Sequence, residues 1–287
     1  MSRRLKLERW LHARREAWRE AFVKGPVTSF TFEFVSFGVK QAWACLFGSL
    51  MLALLVGTFL VYPTNAPLSR YDFLTLAALA IQAAMLATKL ETWEEARVIF
   101  AFHVVGTIME IFKTGAGSWI YPEESILRIA GVPLFSGFMY AAVGSYLARV
   151  WRIFEFRFER FPPLWLQALL AIGVYANFFT HHYIPDMRLG LFNIKLVIYA
   201  PCFVYFRPDR HERFMPLALG LLLVALFIWF AENLGTFARA WVYPSQGKGW
   251  HPVSLDKLGS WYLLMIISFV LVAALHHRLG RKEGQGV

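Results

Sequence analysis

Charge is scarce in these 287 residues: Asp, Glu, Lys and Arg make up 17%, against about a quarter in ordinary soluble domains. That shortage excludes a typical water-soluble enzyme. Cysteine is scarcer still, with Cys45 and Cys202 alone, both inside apolar stretches, which speaks against a disulfide framework or a thiolate metal cluster. The chain lacks G-x-x-x-x-G-K-[ST], G-x-G-x-x-G and G-x-S-x-G, so nucleotide binding and acyl-serine chemistry have no motif to rest on and no cofactor is implied. No H-x-x-x-H occurs either. His181-His182 and His276-His277 are adjacent pairs, and neighbours on a helix point about 100° apart, so no metal centre is expected.

What the chain has in quantity is apolar surface. Hydrophobic residues reach 57% and aromatics 17%, with a mean hydropathy of +0.47, the composition of an all-α polytopic membrane protein. Eight apolar stretches approach the roughly 20 residues needed to cross a bilayer: Phe37 to Tyr62, Tyr71 to Thr88, Val98 to Lys113, Val132 to Trp151, Leu164 to Phe179, Leu189 to Phe206, Phe214 to Gly235 and Leu258 to His277. Pro63, Pro67, Pro122, Pro162, Pro163, Pro185, Pro208, Pro244 and Pro252 fall between them, where proline ends helices without breaking a membrane ladder.

The net charge of +10 reads as a topology signal and a lipid contact, not as a nucleic-acid surface. With the spans alternating, 20 Lys and Arg fall on one side and 7 on the other, which places both termini in the cytoplasm. The expected organisation is a basic N-terminal arm over 1–30, one transmembrane domain over 31–278 and a tail over 279–287. In the arm, Leu5, Trp10, Leu11, Trp18 and Phe22 sit among basic residues, as in a helix lying on the inner leaflet or a solvated basic arm.

A segment recurs. Glu110-Ile-Phe-Lys-Thr114-Gly-Ala-Gly-Ser-Trp119-Ile-Tyr121-Pro122 aligns without gaps on Glu232-Asn-Leu-Gly-Thr236-Phe-Ala-Arg-Ala-Trp241-Val-Tyr243-Pro244, with six of thirteen positions identical. The copies end the third and seventh stretches, which predicts a parallel 4+4 repeat with halves over roughly 37–151 and 164–277 and a site at their interface.

Glu110 and Glu232 fall about one turn inside the ends of their helices. Intramembrane acids are functional candidates by default, the other reading being interhelical hydrogen bonding to Thr114, Thr236 or the Trp indoles. His103 lies two turns before Glu110 on the same face. Asn177, His181, Asn193 and Asn233 gather at the same depth, which predicts a polar chamber. Trp119, Tyr121, Trp241 and Tyr243 either line it or form an interfacial belt.

On Glu110 to Pro122, Gly131-Val132-Pro133 and Trp229-Phe-Ala-Glu232-Asn233, the sequence resembles an uncharacterised bacterial integral-membrane family, the domain of unknown function 817, nearly end to end. That resemblance implies an inner-membrane location and no particular activity. Over about 30 residues, Glu110, Thr114-Gly115, Gly117, Tyr121 and Gly131-Val132-Pro133 are also similar to the pattern around a membrane glutamate in CruF-type carotenoid hydratases. Ser118-Trp119 and the second copy at Glu232 depart from that pattern.

The hydratase likeness implies an isoprenoid or lipid-like substrate protonated by a carboxylic acid that a water-poor setting keeps neutral. Glu110 and Glu232 would be donor and partner with His103 beside them, and the aromatics would shelter a carbocation. A small-solute or proton-coupled transporter, or a structural membrane subunit, would use the same residues differently.

Overall fold

In the computed structural model the chain is mostly helical. The backbone is described for residues 3–284 and the side chains for residues 13–274. Residues 285–287 of the expected tail, the side chains of its residues 279–284 and those of Leu5, Trp10 and Leu11 lie outside those described residues.

The helices are α1 (Arg3–Phe22), α2 (Pro26–Ala44), α3 (Leu46–Val61), α4 (Arg70–Ala87), α5 (Trp93–Gly115), α6 (Phe135–Ile153), α7 (Leu164–Thr180), α8 (Arg188–Tyr199), α9 (Leu217–Phe237) and α10 (Leu255–Gly284). Four segments are long and apolar enough to cross a membrane: α4, α5, α9 and residues Leu255–Ala274 of α10. A fifth is α2 with α3, taken as one span bent by 67° at Cys45.

Of the eight expected spans, three take other shapes, and α6 and α7, at the fourth and fifth, are not among the segments long and apolar enough to cross. Leu189 to Phe206 is not a single helix: α8 stops at Tyr199, because Pro201 has no N–H to continue the ladder. With 12 residues it is only about 18 Å long. The aromatic run after it forms β2 (Phe203–Phe206), between β1 (Arg157–Glu159) and β3 (Arg213–Pro216) in an antiparallel sheet. Phe214, expected to open the seventh span, is paired with Tyr205 in that sheet. The first expected span, Phe37 to Tyr62, is the broken pair α2–α3.

The sheet lies at one end of the bundle, with α1 docked beside it. Arg15 and Arg19 both hold Asp209, the latter through Nε at 2.8 Å. Burial alone would raise the Asp209 carboxyl, but the two guanidiniums outweigh it and leave the group below the usual aspartate range.

The loops that follow α5 and α9 form the opposite end. Each helix closes with the same cap: Ser118 N–H donates to the Lys113 carbonyl at 2.9 Å, and Ala240 N–H to the Gly235 carbonyl at 3.0 Å. Such a cap needs a left-handed residue, supplied by Gly117 (φ 70°) in the first copy and by Arg239 (φ 51°) in the second.

The N-terminus of α4 straps the two loops together. Asp72 accepts the N–H groups of Ile126 and Leu127, Arg70 donates to the Ala238 carbonyl at 2.7 Å, and Tyr71 OH donates to the Ala240 carbonyl at 3.0 Å.

α5 and α6 approach closely because small residues face large ones across them. A Cβ on Gly106 would run into the Tyr140 ring, one on Gly137 into His103 and Thr107, and one on Gly144 into Phe102. α6 packs on α5, α3 and α4; α10 packs on α9, α7 and α8. The main core joins Phe102, Leu170, Tyr199, Leu221, Ile266 and Phe269, and a second core beneath the loops joins Tyr71, Trp119, Phe135, Trp241 and Tyr243.

Candidate functional site

The two recurring segments meet. Ile120 and Val242, each ten residues past its glutamate, form an antiparallel bridge and exchange both backbone hydrogen bonds, at 3.0 and 2.9 Å. On either side of this bridge the glutamates are buried and held by aromatic donors.

Glu110 Oε2 accepts from Trp119 Nε1 at 2.7 Å and from Tyr121 OH at 2.6 Å; its Oε1 accepts from Tyr140 OH at 2.7 Å. Glu232 Oε1 accepts from Tyr243 OH, and Oε2 from Trp261 Nε1 at 2.6 Å. Tyr121 and Tyr243 thus play the same part eleven residues after each glutamate. Burial foremost, and then the neighbouring carboxylate, hold both phenols well above their ordinary range, so they act as donors.

The copies differ at the tryptophan. Trp241 folds over Gly235, where a Cβ would strike its ring, whereas the first copy has Lys113 at that position and Trp119 turns to the carboxyl instead. Trp261 replaces the missing indole from the following helix, as Tyr140 adds its hydroxyl to the first copy.

A cavity of about 150 Å³ opens beside this cluster, lined by Lys113, Trp119, Tyr140, Asn177, Phe178, His181, Arg188, Glu232, Tyr243, Lys257 and Trp261 among others, with Asp256 at its exposed rim. Glu232 faces it directly. Glu110 stands one layer back, its oxygens taken by Trp119 and Tyr140, which do line it.

Lys113 Nζ lies 3.2 Å from His181 Nε2 and 2.9 Å from His182 Nε2, with the Phe178 ring 4.4 Å away. Lys257 Nζ stands 4.5 Å from the Tyr243 centroid and 5.3 Å from that of Trp119. Asn177 accepts Met187 N–H at 2.9 Å and donates to Asp186, fixing the turn that carries both histidines. Burial raises the Asp186 carboxyl, but the Arg188 N–H, Asn177 and the Arg188 guanidinium outweigh it and leave it low.

An apolar crevice, lined by Val105, Met109, Ile228, Leu264, Met265 and Ser268 among others, lies on the other side of Tyr140 and Trp261. Those two rings line both spaces, with centroids 6.1 Å apart.

Other expected site residues fall elsewhere. His103 packs its ring on Phe138 at 4.6 Å, against Gly137, and does not join the carboxyl cluster. Asn193 is exposed on α8, a consequence of that helix being short and peripheral. Asn233 and Thr236 latch the second loop: Val253 N–H donates to Asn233 at 2.8 Å, and Trp250 Nε1 to Thr236 at 3.2 Å. Thr114 is half-buried with its hydroxyl unpaired among the described residues. No group of three or more His, Cys, Asp or Glu converges as a metal site among the described residues.

Tyr140, Trp261 and Lys257 were not expected as site residues. Each lies on the helix that follows a recurring segment, outside the repeated spacing, and no sequence signal singles it out.

A helical bundle with several spans long and apolar enough for a bilayer, and a polar cavity between its packed helices, has the architecture of a polytopic membrane protein. The chain belongs to the family described as protein of unknown function (DUF817), whose model matches residues 33–269. It is 42% identical over 243 residues to the uncharacterized protein YoaT of Bacillus subtilis (strain 168), covering 85% of this chain and 91% of that one. No solved structure is significantly similar. Neither match extends to CruF-type carotenoid hydratases.

Proposed function

We propose that the protein is a carrier that moves a small polar solute through the membrane at the interface of two duplicated four-helix units, α3–α6 and α7–α10. The observation that carries this reading is the pair Tyr140 and Trp261. They form the base of a polar cavity and the wall of an apolar crevice beyond it, and each is tied to the glutamate of its own unit. A site between repeats, closed on one side by side chains that can turn, is the arrangement expected of a secondary transporter.

The duplication is supported by the shared caps, the Ile120–Val242 bridge and the packing of α6 and of α10 on all three other helices of their own unit. The positive-inside rule directs the sheet end, with Arg157, Arg207, Arg210 and Arg213, to the cytoplasm and the cavity outward.

Proton transfer to an isoprenoid fits this geometry less well. Such an acid must face a long apolar pocket, whereas the Glu110 oxygens are taken by three aromatic donors and the adjoining cavity is small and charged.

The test is uptake by liposomes containing the full-length protein, using radiolabelled benzoate, glycine and choline as an anion, a zwitterion and a cation. At least one should enter faster than into protein-free liposomes, at a rate that Trp261→Phe changes fivefold or more. Entry of none of them above the protein-free control would overturn the proposal.

A further inference from the structure

Two ammonium groups of the cavity, Lys113 and Lys257, make no direct contact with its acids. Lys113 is 5% exposed. His181 Nδ1 lies 2.9 Å from the Asn177 carbonyl, an acceptor only, so Nδ1 carries the proton and Nε2 offers Lys113 a lone pair. His182 Nε2 lies within hydrogen-bond distance on the other side. Two neutral imidazoles therefore hold the ammonium without cancelling its charge, and leave its third N–H free.

Lys257 is steadied by two ring faces, again with no carboxylate in direct contact. Among the described residues, neither ammonium has a carboxylate within ion-pair distance. Glu232 turns both oxygens to Tyr243 and Trp261, Asp256 stands at the exposed rim, and Arg188 at the mouth is already paired with Asp186. Arg188 opens α8 and Asp256 and Lys257 lie in the first turn of α10, and all three line the cavity, so the positive ends of both helices adjoin it. Ammonium groups withdrawn from water are costly unless an anion meets them.

We infer that the cavity binds a small organic carboxylate, its head group between Lys113 and Lys257 and its apolar part against Trp119, Tyr243 and Phe178. About 150 Å³ is room for a benzene-sized body, and the aromatic walls favour an organic tail over a bare inorganic anion. This rests on the cavity being the solute site of the proposed carrier.

The test is binding to the purified full-length protein in detergent, followed by tryptophan fluorescence and thermal unfolding with benzoate, benzyl alcohol, benzylamine and inorganic phosphate at matched ionic strength. Benzoate should quench the fluorescence and raise the melting temperature, with benzyl alcohol and benzylamine at least tenfold weaker. Lys113→Gln and Lys257→Gln should each weaken benzoate at least tenfold, Lys257→Arg no more than threefold, and Lys248→Gln, on an exposed loop, not at all.

Equal binding of benzyl alcohol or benzylamine, or preference for phosphate, would overturn the carboxylate assignment; the wild-type series decides this even if a variant fails to fold. Benzoate bound, with none of the three solutes taken up by liposomes, would leave the site standing and remove the carrier. Uptake of choline or glycine without benzoate binding would do the reverse.

Discussion

Trp119 and Tyr243, equivalent to Trp241 and Tyr121 in the other copy, meet edge to face with ring centroids 5.9 Å apart. Each belongs to one recurring segment and touches the other, so the glutamate clusters form one unit across the Ile120–Val242 bridge. The ammonium of Lys257 sits over both rings.

The glutamates serve first as acceptors. In Glu110→Gln the amide oxygen can still accept from Trp119 and Tyr121, but the amide nitrogen cannot accept from Tyr140 OH, so the loss should be that of one stranded donor, about 1–3 kcal/mol. Glu110→Leu strands three buried donors, each costing about 1–3 kcal/mol. Thermal unfolding in detergent should separate the two variants widely. Equal losses would show that the charge, not the hydrogen bonding, holds the cluster.

Glycines at close approaches should be intolerant of a methyl group, and those in open helix positions should not. Gly106→Ala meets the Tyr140 ring and Gly235→Ala the Trp241 ring, each costing about 1–3 kcal/mol as overpacking. Gly57→Ala, with nothing within 4 Å, should gain about 0.5–1 kcal/mol from helix propensity. Arg239→Gly, at φ 51°, should stabilise by about 1 kcal/mol by relieving the left-handed strain. Melting temperatures in one detergent rank all four.

The docking of α1 should depend on pH through Asp209. Its carboxyl is held below the ordinary aspartate value of 3.8, so its ionised form is the one folding favours. The contribution is fully present above that value and is lost as the pH falls through the lower, folded one. A spin label at Trp18→Cys should stay immobile down to about pH 4 and loosen below it, whereas Asp209→Asn should be loose throughout. Loosening already at pH 6 would assign the docking to another group.

Much of the carboxyl cluster was legible in the chain, because spacings of nine and eleven residues from each glutamate recur and both copies fold onto the same cap. Trp119, Tyr121 and Tyr243 stand at those spacings, whereas Trp241, at the same spacing as Trp119, folds over Gly235 instead. Tyr140 and Trp261 were not legible, since their contacts depend on how the next helix packs, which Gly106 decides for Tyr140. The apolar run 189–206 was misread as one helix because hydropathy does not distinguish a buried strand such as Phe203–Phe206 from a helix end. Pro201 was the available warning. His103 shares a helix face with Glu110, but Gly137 opens a place for its ring on α6 instead.

Topology offers a separate check on the repeat. With Cys45 and Cys202 replaced by serine, Ser118→Cys and Ser245→Cys, one in each loop, should both react with an impermeant maleimide from outside intact cells. Ser2→Cys should react only after permeabilisation. Labelling of positions 118 and 245 from opposite sides would end the parallel arrangement.

The most direct test compares two serines on either side of the Tyr140–Trp261 pair, Ser260 in the cavity and Ser268 in the crevice. In oriented proteoliposomes without other cysteines, Ser260→Cys should react with an impermeant thiol reagent from the loop side. Ser268→Cys should react from the opposite side, more slowly when the rings are held by bound solute. If Ser260→Cys is modified while Ser268→Cys stays unreactive from both sides in the same folded protein, no pathway runs past these rings and the cavity is a closed pocket.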